Sequence, residues 1–179
     1  MIAHLLTGVR LVIVVPAALA FAEWAPWPGW LPAAFVAVAI ATDYWDGKVA
    51  RARGTASPAG MLFDHSTDFL FVTAGLSGAV EAGVVTLWLP LLIVIAFTQY
   101  VLDSYFLHRQ KQLRMSRLGR WNGILYFAPL VIIALARLAV ATPLEGVLLG
   151  LATLVSWGLV LSTMASIVDR AVAAYLPGR

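Results

Sequence analysis

The 179-residue sequence contains no cysteine, so disulfides and thiolate metal sites are excluded. Charge is scarce as well, with Asp, Glu, Lys and Arg together making up 12% of the chain. No low-complexity tract is visible, nor any repeat at a period of about 20–50 residues, so solenoids and propellers are excluded. What abounds is apolar: 61% of the residues are hydrophobic. A soluble domain of this size cannot hide that much apolar surface, so lipid must form part of its solvent.

A bilayer core about 30 Å thick takes roughly 20 apolar residues per helix, and the chain has room for about six. The apolar runs fall at residues 5–21, 31–50, 60–78, 84–107, 121–140 and 144–174. Breakers separate them: the Pro- and Trp-rich 22–32, then 53–60, the basic 109–120, and Thr142-Pro143. Long apolar runs with no period-two alternation exclude a barrel and leave helices. The expected fold is an all-α integral membrane protein of six transmembrane helices, a single domain over residues 1–179. Ala18-Leu19-Ala20 has the look of a cleavage site. The first nine residues carry no Lys or Arg, however, and Arg10 interrupts the apolar run, so the first span is read as a retained helix.

Basic residues orient the bundle. Lys48, Arg51, Arg53, Arg109, Lys111, Arg114, Arg117, Arg120, Arg170 and Arg179 fall on the side that holds both termini, with Arg10 just inside the first span. Only Arg137 approaches the other side. This bias makes the termini and both basic loops cytoplasmic. Trp24, Trp27, Trp30 and Trp88 then form an outer aromatic belt, and Trp45 and Trp121 sit at the inner one.

Against this background the segment DYWDGKVARARGTASPAGMLFDHSTD (residues 43–68) is anomalous, since it holds four of the nine acidic residues. Asp43 and Asp46 are three apart near the end of the second span, and Asp64 and Asp68 four apart near the start of the third. Each spacing puts its pair on one helical face. A short loop between the spans makes the two helices antiparallel neighbours, so the four carboxylates converge at the cytoplasmic boundary. Bare carboxylates there repel one another and resist desolvation. Protonation relieves this, and so does cation binding. An all-oxygen donor set selects Mg²⁺, Mn²⁺ or Ca²⁺, and two divalent ions cancel four charges. Gly47 and Ala50 share the face of Asp43 and Asp46, and Gly60 that of Asp64, which leaves space for a ligand. Arg51 offers a planar fork for phosphate. Either pair alone reads most simply as capping or solvated residues; both pairs together do not. His65 projects about 100° from Asp64 and is read as no ligand. Lys48 and Arg53 are read as interface charges.

The pattern D-x-x-D-G-x-x-A-R-x8-G-x3-D-x3-D resembles the signature of the CDP-alcohol phosphotransferases. Asp43, Asp46, Gly47, Ala50, Arg51, Gly60, Asp64 and Asp68 fill its fixed positions. The resemblance implies an integral membrane homodimer with two Mg²⁺ or Mn²⁺ ions, a CDP-diacylglycerol-type lipid donor, a small alcohol acceptor, and no nucleic-acid partner. It implies that Asp43, Asp46, Asp64 and Asp68 hold the metals. Asp43, Asp46, Gly47, Ala50, Arg51 and Gly60 would bind the nucleotide, and Asp68 would be the general base. The localisation it implies is a bacterial or archaeal cytoplasmic membrane, with the active site on the cytoplasmic side.

The acceptor is read from the arginines. Residues 109–120 hold five basic side chains, and Arg10 and Arg170 lie on the same side. Arg10, Arg117, Arg120 and Arg170 are the candidates for an acceptor phosphate, against the alternative that they only obey the positive-inside rule. Arg10 either reaches the site or snorkels to the interface. Gln99 and Asp103 share a face of the fourth span and either line the acceptor pocket or partner an arginine. Residues 5–16 resemble the family's first helix in their Thr, Arg and Pro, with His4 where many members have Asn. Residues 116–127 depart from the Gly-Lys and following Thr and Gln of glycerol-phosphate members. Glycerol 3-phosphate is the expected acceptor, ahead of inositol phosphate or another alcohol. Gly146 and Gly150 form a G-x-x-x-G packing signal. The reading from another class is a cation or proton transporter, with a non-catalytic cation-binding scaffold third.

Overall fold

The computed structural model describes residues 2–23, 27–52, 57–102 and 117–175, with backbone alone for 2–5, 50, 51, 58, 59, 117 and 173–175. Among the described residues the chain is all-helical: α1 (Ile2–Phe21), α2 (Leu31–Ala52), α3 (Pro58–Glu81), α4 (Trp88–Leu102), α5 (Arg117–Leu125), α6 (Phe127–Leu138) and α7 (Pro143–Tyr175). Ser57 starts α3 by accepting the Gly60 N–H on its Oγ at 3.1 Å, with Pro58 at a first-turn position where no N–H is needed.

The fifth apolar run, expected as one helix, is two. Tyr126 keeps helical dihedrals (φ −62°, ψ −21°) and donates its N–H to the Asn122 carbonyl at 2.9 Å. Pro129 has no N–H to offer Leu125, so one rung of the ladder is missing where α5 meets α6.

The expectation that α2 and α3 are direct neighbours is also corrected. They touch only sparingly, and α1 packs extensively against both. Small residues allow this insertion. A Cβ on Gly78 of α3 would lie 2.2 Å from the Ala18 carbonyl oxygen and 3.0 Å from the Ala22 nitrogen of the α1 end. Both are backbone atoms and cannot rotate away. Gly78→Ala is expected to cost about 1–3 kcal/mol through overpacking, read as a lower Tm in detergent. An unchanged Tm would contradict this close approach.

Ala17 and Phe21 of α1, Phe71 and Leu76 of α3, Leu89 of α4 and Leu130 of α6 lead the buried core. The exterior is apolar too: Val12, Val15, Leu154 and Leu161 are 65–75% exposed, a surface that suits lipid rather than water. Two stretches, Leu118–Leu138 and Pro143–Val172, are long and apolar enough to cross a bilayer. The apolar runs Leu6–Phe21 and Trp88–Leu102 are shorter, and α2 and α3 are interrupted by their aspartates. At the end of the bundle opposite those aspartates, Arg137 pairs with Glu23 and, at 3.5 Å, with Glu145. Glu145 also accepts the Ala141 N–H at 3.2 Å. The one basic residue expected on that side is thus held by two acids.

Candidate active site

Three helices build the carboxylate centre. Thr7 and Arg10, three apart on α1, face the last turns of α2 and the first turns of α3. Thr7 donates its hydroxyl to Asp46 Oδ2 at 3.1 Å. Arg10 Nη1 donates to Asp43 Oδ1 at 3.3 Å and to Asp68 Oδ1. Arg10 Nη2 donates to Asp64 Oδ1 at 2.6 Å and to Asp46 Oδ2. One guanidinium therefore touches all four aspartates. Of the two positions the sequence allowed it, Arg10 takes the one inside the site.

Arg10 is 0% exposed and Asp46 4%, so both charges are out of water and survive only by pairing. Among the described residues the pairing is incomplete, because four carboxylates surround one cation. Three formal negative charges remain in excess. The carboxylate oxygens of Asp43, Asp46 and Asp64 lie within 4.8 Å of one another. A second group, Asp64, His65 and Asp68, meets the same limit, and Asp64 belongs to both. An oxygen-rich, under-neutralised cluster with a shared carboxylate fits hard divalent cations.

His65, read from its offset to Asp64 as no ligand, lies with Asp64 and Asp68 in a group that could hold a cation. Its offset from Asp64 is real, but it stands three residues before Asp68 and so shares that residue's face. That spacing was the signal available in the sequence.

A cavity of about 740 Å³ opens beside the centre. Asp43, His65 and Asp68 line one part of it, and Gln99, Arg120 and Arg170 bring further polar groups. Phe69, Phe97, Ile93 and Ile132 supply apolar wall, with Phe69 and Phe97 stacked at 4.2 Å. Arg170 lies over the Tyr100 ring at 5.3 Å. Gln99 donates Nε2–H to the Ile167 carbonyl at 3.3 Å, tying α4 to α7. Buried polar pairs tie α5 and Tyr126 to α7: Ser162 donates to Asn122 Oδ1 at 2.6 Å, and the hydroxyls of Tyr126 and Thr163 are 2.9 Å apart. Lys48 stands over the Tyr44 and Trp45 rings at 5.7 and 5.4 Å, away from this cavity's lining.

Gly47 and Gly60 are half-buried on α2 and α3. Ala50, Arg51 and Arg117 lie on helices, but their side chains are outside the described set. Arg53, Asp103, Arg109, Lys111, Arg114, Arg179 and Trp24 lie outside the described residues.

The fold and site define a lipid-adapted helical protein with a carboxylate centre beside a cation-lined cavity. The family model for CDP-alcohol phosphatidyltransferase matches residues 1–169, and the chain belongs to that family. No curated protein and no solved structure matches it significantly. The family comprises membrane-bound transferases of substituted phosphate groups that require divalent cations, which makes this chain an enzyme rather than a transporter.

Proposed function

We propose that the protein transfers the phosphatidyl group of CDP-diacylglycerol to the hydroxyl of glycerol 3-phosphate, releasing CMP. The observation that carries this reading is that Arg120 and Arg170 line the same cavity as Asp43 and Asp68. An acceptor phosphate held by the two arginines would set its hydroxyl toward the carboxylates. The acceptor oxygen forms a bond to the lipid-bearing phosphorus as the bond to the CMP oxygen breaks, and CMP leaves with that electron pair. Asp68 takes the hydroxyl proton.

Asp43, Asp46, Asp64 and Asp68 are the residues that would hold two Mg²⁺ or Mn²⁺ ions. Bound there, the ions supply charge neutralisation for the diphosphate and the departing CMP. Gly47, Ala50, Arg51 and Gly60 are assigned with Asp43 and Asp46 to the cytidine diphosphate, by family likeness. The apolar wall keeps water from the donor and so favours transfer over hydrolysis. Arg117, three residues before Arg120 on α5, is assigned to the acceptor phosphate with it. Arg10 was a candidate for the same role, but its terminal nitrogens face the aspartates and it does not line the cavity.

Six membrane-spanning segments are proposed, α5 and α6 together making the fifth, with both termini and the site on the cytoplasmic side and a homodimer as the assembly. Inositol phosphate is the second acceptor, because the same two arginines suit any phosphate ester.

The test is CMP release with CDP-diacylglycerol against glycerol 3-phosphate, inositol phosphate, free inositol and serine. A phosphate ester should be the efficient acceptor. Efficient turnover with serine or free inositol and none with either ester would show that the arginines set only topology. Arg120→Ala and Arg170→Ala should each raise the acceptor KM by about tenfold or more, with a smaller change in the KM for the CDP-lipid.

A further inference from the structure

We propose that Arg10 is a resident cation that holds the four aspartates together before divalent ions bind, and that the ions displace it. The inference rests on the divalent-cation reading of this centre. Arg10 meets one oxygen of each aspartate, so its guanidinium stands at the point on which all four converge. A divalent ion needs about six oxygen ligands, and two such ions draw on these same carboxylates. A guanidinium and two divalent cations sharing those oxygens would repel one another at short range, most strongly on the side of Asp46, which is buried with Arg10.

The contacts that hold the Arg10 head group in its socket, among the described residues, are those to the carboxylates. A guanidinium built permanently into a protein interior has its N–H groups accepted. Here, among the described residues, Nε is buried with no hydrogen-bond partner, while both terminal nitrogens are taken by carboxylates. Ions that neutralise the carboxylates weaken the interactions that hold the head group among the described residues. Arg10 is thus a positioning residue. It keeps the centre assembled without metal and competes with metal for it.

The sign of the effect on metal affinity decides the matter. A residue that only braces the fold, or that supports the loaded centre, would weaken metal binding when removed. A competing cation would tighten it. The experiment is Mn²⁺ binding to the purified full chain, read from the electron paramagnetic resonance of free Mn²⁺, in wild type, Arg10→Met and Arg10→Lys. Arg10→Met should bind Mn²⁺ about tenfold or more tightly than wild type, because no internal cation must be displaced. Its Tm should fall in EDTA and recover with Mn²⁺, giving a larger metal-induced rise than wild type shows. Should Arg10→Met not survive removal of metal, Arg10→Lys decides: one ammonium cannot reach four carboxylates, so it too should bind Mn²⁺ more tightly than wild type. Affinity equal to or weaker than wild type in the deciding variant overturns the proposal while leaving the metal centre standing. Absence of Mn²⁺ binding in wild type overturns the metal reading and this proposal with it.

Discussion

Asp64→Ala is expected to reduce CMP release by about 10²–10³-fold or more and to leave the helical fold in place. Asp64 is the carboxylate shared by the two candidate ligand groups, Asp43–Asp46–Asp64 and Asp64–His65–Asp68. Removing it disrupts both at once, where loss of Asp43 or Asp46 disrupts one. The fold survives because Arg10 keeps three of its four carboxylate partners and its buried charge stays compensated. Turnover and Tm measured on one detergent preparation separate the two effects. Wild-type turnover would contradict the two-metal centre, and a collapsed Tm would show that Asp64 is needed for folding before chemistry.

Asp68→Asn is expected to lower kcat by about 10²-fold or more, with a smaller change in the KM for the CDP-lipid. The amide keeps the shape of the side chain, and its oxygen can still accept from Arg10, so the packing of α1 against α3 is retained. What the proposed role loses is a proton acceptor on the cavity whose lining also includes Arg120 and Arg170. An equal collapse in nucleotide affinity would instead make Asp68 chiefly a metal ligand.

The parts of this protein legible in its sequence are those that local spacing controls. The apolar runs mark the described helices to within a few residues, apart from the missing rung at Pro129, and the end of the fourth run at residue 107 lies outside the described residues. The i,i+3 and i,i+4 aspartate pairs place two carboxylates on each of two faces whatever the tertiary arrangement. Which helix stands beside which is not a local property. The short loop argued for α2 against α3, yet α1 packs extensively on both, because Gly78 admits the Ala18 backbone. For the same reason the environment of Arg10 could not be read: its position one turn after Thr7 fixes a face of α1 but not what that face meets. His65 joins a candidate ligand group through its spacing to Asp68, three residues on, and not through its offset from Asp64. Arg137 counted as the exception to the charge bias, and the acids that hold it lie 114 positions before it, at Glu23, and eight after it, at Glu145.

The most direct measurement of the central claim is a single reaction in which CMP and the lipid product are both quantified by mass spectrometry. It contains the purified protein, CDP-diacylglycerol, glycerol 3-phosphate, and Mg²⁺ or Mn²⁺. Equal amounts of CMP and phosphatidylglycerophosphate are expected, with formation stopped by EDTA and both products lost in Asp64→Ala. Full-rate product formation in EDTA or in Asp64→Ala, or CMP released with no lipid ester formed, would contradict the claim.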